Sequence, residues 1–323
     1  MQNQITRRRA LAALSGVAGA PVLGMFDARA APRAYVLEPK QLAEGVWMVQ
    51  GVPEAVNMTN GGAIANIGIM ATSEGAIIID SGPSRRYGEQ LRALAQSLTG
   101  KDVARVYLTH FHPDHVFGTQ AFAADSVAAT QGVITGLREL GEGFAAAMYS
   151  SAGDWMRGTE VALPTRVIDK GVEDVGDRRV RLMAMKGHTG SDLVVYDELT
   201  GIIFAGDLVF LDRAPTTPHA EIGSWKVALA TLGGIPHTLI VPGHGPAESN
   251  TRALDQTRIW LTEIEMIISG AFERGLDMTE AMALPLPEWT SKVALARYEF
   301  QRTVMHLYPR LEAARLPVVG GRG

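Results

Sequence analysis

The stretch that decides the fold class is Thr-His-Phe-His-Pro-Asp-His, residues 109–115. Three imidazoles and one carboxylate fall within six residues, directly after a predicted strand that ends at Leu108. Side chains at a strand-to-loop transition can converge on one small volume. Neutral imidazole nitrogens and carboxylate oxygens are ligands that zinc and similar divalent metals accept. The stretch therefore predicts a metal site, with His110, His112, Asp114 and His115 as candidate ligands.

Three further segments each place a candidate ligand beside a glycine, close to the end of a predicted strand. They are Gly187-His188-Thr189, Gly206-Asp207 and Pro242-Gly243-His244-Gly245. Glycine lets the backbone turn sharply at such a point. Each segment alone is a weak signal, because an Asp after a strand is usually a turn former or a helix cap. Their agreement in position is what adds His188, Asp207 and His244 to the candidate ligands.

The composition restricts the chemistry of any such site. The chain has 323 residues, 46% of them hydrophobic, and no cysteine. Disulfides, thiolate metal sites and cysteine nucleophiles are therefore excluded. The apolar share is sufficient for a packed core, so disordered and fibrous classes are excluded as well.

Residues 1–30 resemble an export signal of the twin-arginine type. Arg7-Arg8-Arg9 precede an apolar stretch from Ala10 to Val22, and Ala28-Arg29-Ala30 fits a small-x-small cleavage pattern. This predicts export through the Tat translocon to the periplasm, with removal of residues 1–30. The segment carries a net +3, so the mature chain would carry −7 against −4 for the whole. That acidity argues against a nucleic-acid partner, and the absence of another apolar run of about twenty residues argues against a membrane anchor.

Hydrophobic periodicity in the mature chain alternates between strands and helices. Strands are predicted at 46–52, 66–71, 75–80, 103–108, 126–130, around 167, and at 180–185, 193–196, 202–205 and 238–241. Helices are predicted at 85–98, 135–150 and 225–232, and two long helical stripes follow residue 250. This order indicates a layered α/β or α+β fold. We expect a catalytic domain at 31–250 and a helical extension at 251–323, either packed on that domain or used in a homodimer contact.

Five sequence blocks, in order, resemble the metallo-β-lactamase superfamily of αββα metallohydrolases. They are IIIDSG at 77–82, THFHPDH at 109–115, GHT at 187–189, FAGD at 204–207 and PGHG at 242–245. The resemblance implies a first metal on His110, His112 and His188, and a second metal on Asp114, His115 and His244. Asp207 would bridge the two metals, and Asp80 would steady a ligand histidine through its other ring nitrogen. Asp207 resembles the bridging aspartate of glyoxalase II, and residues 206–219 resemble exported quinoprotein relay system or sulfur-oxidation-associated zinc metallohydrolases.

The resemblance implies a hydrolase with two Zn²⁺, which cleaves an ester, thioester or amide bond, including a β-lactam, of a small-molecule substrate. With the export signal, the periplasm is its expected location. A metal-bound hydroxide would attack, oriented by Asp114 and Asp207 as catalytic residues. Two alternatives remain open. One is a mononuclear iron oxidoreductase similar to persulfide dioxygenases, or a mixed metal pair in the same site. The other is an accessory or binding protein of a periplasmic redox system.

The substrate side of the site is expected to include Phe117, Arg213, His219 and Trp225, each of which could equally be a core or surface residue. His237 and His306 are interpreted as structural.

Overall fold

The computed structural model describes residues 34–315. Within this range the strands form two sheets, packed face to face, with helices on both outer surfaces. This arrangement confirms the predicted αββα sandwich with additional C-terminal helices. The predicted signal segment, residues 1–30, and the chain end at 316–323 lie outside the described residues.

The first sheet contains seven strands in chain order: β1 (Pro39–Ala43), β2 (Val46–Val49), β3 (Ile67–Ala71), β4 (Ala76–Ile79), β5 (Val103–Tyr107), β6 (Val127–Thr130) and β7 (Arg166–Ile168). The pairs from β1 to β4 are antiparallel, and those from β4 to β7 are parallel. Helices α1 (Arg85–Thr99), α2 (Pro113–Val116) and α3 (Gln131–Ala152) lie in the connections of the parallel half. Parallel strands end at the same edge of a sheet, so the loops after β4 and β5 emerge side by side.

The second sheet has the order β12-β11-β10-β9-β8, with β8 (Gly171–Val175), β9 (Arg178–Met185), β10 (Asp192–Asp197), β11 (Ile202–Phe210) and β12 (Leu239–His244). Only the β11–β12 pair is parallel among these described strands, and its crossover contains α4 (Ile222–Gly233). The register of that pair shifts between Phe204 and Gly206 and again before Phe210. Asp207 therefore lies inside a strand at an irregularity of the ladder, not after the strand as its sequence pattern suggests.

Three apolar clusters hold the layers together. One lies between the sheets and includes Met48, Ile77, Leu193 and Phe204. A second joins the first sheet to α1 and α3. The third joins the second sheet to α4, α5 (Arg252–Glu273), α6 (Met278–Ala283) and α7 (Ala296–Arg315). No helix within residues 34–315 combines the length and the apolar character needed to cross a membrane.

Helix α1 shows how local signals set an element's bounds. Ser84 caps its first turn by accepting a hydrogen bond from the Tyr87 backbone, and Gly100 ends it in the left-handed conformation at φ 70°. Leu91 and Ala95, four residues apart, are buried on the face toward the sheet.

The strands β1 and β8 were not predicted, because their sequences PKQLA and GVEDV are largely polar and exposed.

Candidate metal centre

Seven side chains from both sheets converge at one edge of the sandwich, and each of them is at most 9% exposed. They form two groups, and within each group the candidate ligand atoms lie within 4.8 Å of one another. The first group contains His110, His112, His188 and Asp207; the second contains Asp114, His115 and His244. The structure thus brings together all seven residues that the sequence pattern selected.

The carboxylate of Asp207 lies between the two groups. Its Oδ2 is 3.2 Å from His188 Nε2 and 3.7 Å from His110 Nε2. Its Oδ1 is 3.1 Å from His115 Nε2 and 3.4 Å from His244 Nε2. One oxygen therefore faces each group, which is the geometry required of a bridging ligand.

Asp80 and Thr109 orient two of the histidines from behind. Asp80 Oδ2 is 2.7 Å from His115 Nδ1 and accepts a hydrogen bond from Thr109 Oγ1, while Asp80 Oδ1 accepts from the Thr109 backbone. Because the Thr109 hydroxyl proton is used on Asp80, its oxygen accepts from His110 Nδ1 at 2.9 Å. In their neutral forms both imidazoles carry the proton on Nδ1 and turn an unprotonated Nε2 toward the centre.

The other histidines are held by different partners. His244 Nδ1 is 2.8 Å from the Ile64 carbonyl, so this nitrogen carries the proton and Nε2 is free to bind a metal. His112 is oriented the other way round. Its Nδ1 lies 2.8 Å from His188 Nε2 at the centre, and its Nε2 lies 2.9 Å from His219 Nδ1.

The end of β12, which carries His244, is fitted closely against Asp207. A Cβ on Gly243 would lie 1.9 Å from Asp207 Oδ1, so only glycine leaves room for the carboxylate. Asn66, directly before β3, supports the same segment, because its Nδ2 donates to the carbonyls of Pro242 and Gly245. Sequence reasoning did not identify Asn66, which is 176 residues away from Pro242 along the chain.

In the first group, the protonation states match those of metal ligands. Burial, reinforced by neighbouring imidazoles, holds the pKa of His110 and His112 well below the usual value, and burial lowers the pKa of His188 to about 4. Burial opposes ionisation of Asp207, but the surrounding imidazoles outweigh it and hold its pKa well below the ordinary range. His115 differs: burial would lower its pKa, but the carboxylates around it raise that pKa well above normal. The first group thus offers neutral imidazoles and one carboxylate, the forms that bind metals.

Several buried atoms at the centre have no hydrogen-bond partner among residues 34–315. They are His110 Nε2, His115 Nε2 and Asp207 Oδ1. Unsatisfied polar atoms at this depth are costly unless something else satisfies them. A divalent cation in each group would do so, and nitrogen and oxygen donors in these numbers are suited to zinc or to iron.

Comparison with known proteins places the chain in a family. The model of the metallo-beta-lactamase superfamily matches residues 60–244, more than half of the chain. The chain belongs to the metallo-β-lactamase superfamily. The acyl-coenzyme A thioesterase MBLAC2 of Bos taurus is 27% identical over 231 residues, covering 64% of this chain and 80% of that protein. The metallo-beta-lactamase type 2 of Bacillus sp. (strain 170) is 24% identical over 212 residues, covering 64% of this chain and 75% of that protein.

Solved structures support the same fold. The metallo-beta-lactamase from Pontibacter korlensis superposes with a TM-score of 0.57 at 22% identity, covering 70% of this chain and 99% of that one. A metallo-beta-lactamase from Hirschia baltica superposes with a TM-score of 0.54 at 20% identity, covering 70% of this chain and 97% of that one. With the family match, the chain is a metal-dependent hydrolase of the metallo-β-lactamase superfamily.

A cavity of about 550 Å³ opens over the candidate metal centre of this superfamily member. His112, Asp114, Asp207 and His244 form its floor. The walls come from the loop 55–64, from α3, from the loop 213–219 and from α7. A volume of this size accommodates a small organic molecule.

Two of the four residues expected on the substrate side line the cavity, and two do not. Arg213 and His219 line it. Phe117 does not, because it is buried in the core between the first sheet and its helices. Trp225 is fully buried as well; its Nε1 donates to the Leu208 carbonyl and its ring packs on His188 at 5.1 Å between centroids. Trp225 therefore supports a candidate ligand from behind and does not face substrate.

Helix α7 contributes cavity residues that sequence reasoning missed, namely Tyr298, Glu299, Arg302 and His306. His306 was interpreted as structural, yet it lies on the cavity wall. The available signal was the spacing of Glu299, Arg302 and His306 at three and four residues, which places them on one helix face. His237 is outside the cavity lining, and its Nδ1 is 2.7 Å from the Ile235 carbonyl.

Proposed function

We propose that this member of the superfamily is a dinuclear zinc hydrolase that cleaves an ester, thioester or amide bond in a small-molecule substrate. The observation that carries the proposal is the carboxylate of Asp207, which presents Oδ2 to one group of ligands and Oδ1 to the other at 3.1–3.7 Å. A single metal site needs no such arrangement. His110, His112 and His188 would hold one ion, Asp114, His115 and His244 the other, and Asp207 both.

Bound divalent ions supply Lewis acidity and lower the pKa of water toward neutrality. The chain itself supplies orientation. Asp114 is the most exposed of the candidate ligands and faces the cavity, so its carboxylate can accept a hydrogen bond from an attacking water. Asp207, beside it on the floor, fixes the water from the buried side. Both carboxylates then direct the attack toward a substrate held in the cavity.

A thioester is the bond class that we favour, because the relative MBLAC2 is an acyl-coenzyme A thioesterase and matches over 80% of its own length. The cavity of about 550 Å³ has room for an acyl group beside the scissile bond. Lactam cleavage is a side activity to be measured, since one relative is a metallo-beta-lactamase.

Elemental analysis of the purified protein, followed by a panel of thioesters, esters, amides and a chromogenic cephalosporin, tests the proposal. We expect two zinc ions per chain, hydrolysis that a chelator abolishes, and recovery of hydrolysis when zinc is returned. One iron per chain with oxygen consumption on a persulfide would instead establish the oxidoreductase alternative. A fully metallated protein with no turnover on any substrate of the panel would favour the accessory-protein alternative.

We further propose that the protein is exported to the periplasm by the Tat translocon, on the sequence pattern of residues 1–30. Export in the folded state suits a protein whose ligands come from both sheets. Cell fractionation of the full-length chain and of an Arg7→Lys, Arg8→Lys, Arg9→Lys variant tests this. Equal amounts of both proteins in the periplasm would refute it.

A further inference from the structure

The cavity over the metal centre has two chemically different walls. One wall is apolar and is formed by Val56, Ile64, Phe144, Ala147 and Met148. The other wall is polar and is formed by Arg213, Thr216, Glu299, Arg302 and His306. A molecule that fills this space must therefore be apolar at one end and polar at the other.

The polar wall carries one positive charge in excess. Glu299 is fully buried and lies between two guanidinium groups. It accepts hydrogen bonds from Arg302 Nη1 at 3.0 and 3.2 Å and from Arg213 Nη2 at 3.5 Å. Both guanidiniums remain charged at any physiological pH, so one carboxylate cannot neutralise them.

Unused donors accompany the excess charge. Arg213 is only 4% exposed, yet its Nε has no hydrogen-bond partner among residues 34–315. Within the same range, every hydrogen bond from the Arg302 side chain leaves from Nη1, to Glu299 and to Thr216. Arg302 also lines the cavity; its side chain is 35% exposed, and its guanidinium carbon lies 5.5 Å from the centre of the Tyr298 ring. Excess buried charge and an unpaired buried donor are costly, and an anion offsets that cost.

His306, on the polar wall, is affected by the same positive charge. Burial is the main reason why the pKa of His306 is lowered, and the charges of Arg302 and Arg310 lower it further. The acidic residues among the cavity lining are Glu299, already paired, and the candidate ligands Asp114 and Asp207 on the floor.

We propose that Arg302, backed by Arg213, is a recognition site for an anionic group of the substrate, and that the substrate is an ester, thioester or amide with an apolar group on one side and a carboxylate, phosphate or sulfonate on the other. The substrate class rests on the proposed hydrolase function; the anion site does not. Helix α7 begins at Ala296, beyond residue 244 where the match to the superfamily model ends. Arg302 therefore lies outside the matched region, whereas Arg213 lies inside it.

Isothermal titration of the purified, metal-loaded protein with 4-phenylbutyrate and with the neutral 4-phenylbutanamide tests the anion site directly. We expect the anion to bind about tenfold more tightly than the amide or better. Arg302→Met should reduce this preference to about twofold or less, and Arg302→Lys should retain most of it because the charge is kept. Arg258→Met is the matched control: Arg258, on the exposed face of α5, also pairs with an acidic residue three positions earlier but lies outside the cavity lining.

Equal binding of anion and amide by the wild type, or an unchanged preference in Arg302→Met, would overturn the proposal. The second result would mean that the carboxylate simply binds a metal ion. Circular dichroism and thermal melting of each variant establish that it is folded, and Arg302→Lys preserves a cation beside Glu299 should Arg302→Met be too unstable to titrate.

A kinetic comparison extends the test to the substrate. For the anionic ester mono-4-nitrophenyl glutarate, kcat/KM should fall about tenfold in Arg302→Met, mainly through KM, while kcat/KM for 4-nitrophenyl butyrate should change much less. If neither ester is hydrolysed by the wild type, the hydrolase proposal is in question, but the titration still decides the anion site.

Discussion

His219 is not among the candidate ligands, yet the structure predicts that removing it weakens metal binding. Its Nδ1 lies 2.9 Å from His112 Nε2, on the side of His112 that faces away from the centre. If His112 binds a metal through Nδ1, its proton is on Nε2, where His219 Nδ1 accepts it, and Nδ1 faces His188 Nε2, 2.8 Å away. Without the acceptor, His112 can take the other tautomer or rotate, and in both cases a ligand atom is lost.

The size of the effect follows from the surroundings. Loss of a group that orients a metal-binding histidine costs about ten- to hundredfold in metal affinity, or about 1.4–2.7 kcal/mol. His219 is half-buried at the cavity wall, so water can reach the vacated position and satisfy part of the bond. We therefore expect the lower limit, about tenfold, for His219→Ala.

Competition for zinc with a chromogenic chelator measures this affinity. His219→Asn should bind zinc nearly as well as wild type, because its side-chain amide oxygen can accept the same hydrogen bond. His237→Ala is the control, since His237 contacts the Ile235 carbonyl instead of a candidate ligand. Equal zinc affinity of His219→Ala and wild type, or equal losses in His219→Ala and His219→Asn, would refute the positioning role.

Three further substitutions test other parts of the site. Asp207→Asn removes the carboxylate shared by both groups, so elemental analysis should find fewer than two metals per chain and hydrolysis should be lost. Asp80→Asn keeps the size of the side chain that orients a ligand imidazole but removes its charge, and chelator competition should show about tenfold weaker metal binding or more. Gly118→Ala would place a Cβ 1.9 Å from the Ser81 carbonyl oxygen and should lower the free energy of unfolding by about 1–3 kcal/mol. Gly143 lies on a helix, and no atom beyond the nearby backbone of that helix is within 4 Å of the new Cβ in Gly143→Ala. Denaturant unfolding should therefore give an unchanged or higher free energy of unfolding. Similar losses in both glycine variants would contradict the steric argument.

The metal-binding part of the site was predictable because its signals are local. Residues 109–115 lie together in sequence, and the structure places their loop directly after β5. His188 and His244 follow the same rule at other strand ends. Asp207 was selected for being beside Gly206, although it proved to lie within β11. The chemical types and the glycines were enough, even where the strand boundary was wrong.

The substrate side of the site was less predictable, because it depends on the direction in which each side chain points and on tertiary packing. Phe117 and Trp225 are near candidate ligands, but nearness does not tell on which side of them a side chain lies. Both turn into the core, where aromatic burial is most favourable. Tyr298 of α7 is 47% exposed and lies at the cavity. Nothing in the pattern of α7 states that this helix reaches back over the metal centre.

The way in which the histidines are oriented explains why this site requires the complete fold. His115 depends on Asp80, 35 residues earlier, His112 on His219, 107 residues later, and His244 on the carbonyl of Ile64, 180 residues earlier. In an unfolded chain these imidazoles exchange tautomers freely and are far apart. Metal affinity and folding are therefore coupled through the orienting bonds as well as through the ligands. A sequence motif can specify which atoms bind a metal, whereas the packing of both sheets fixes which nitrogen of each ring is presented to it.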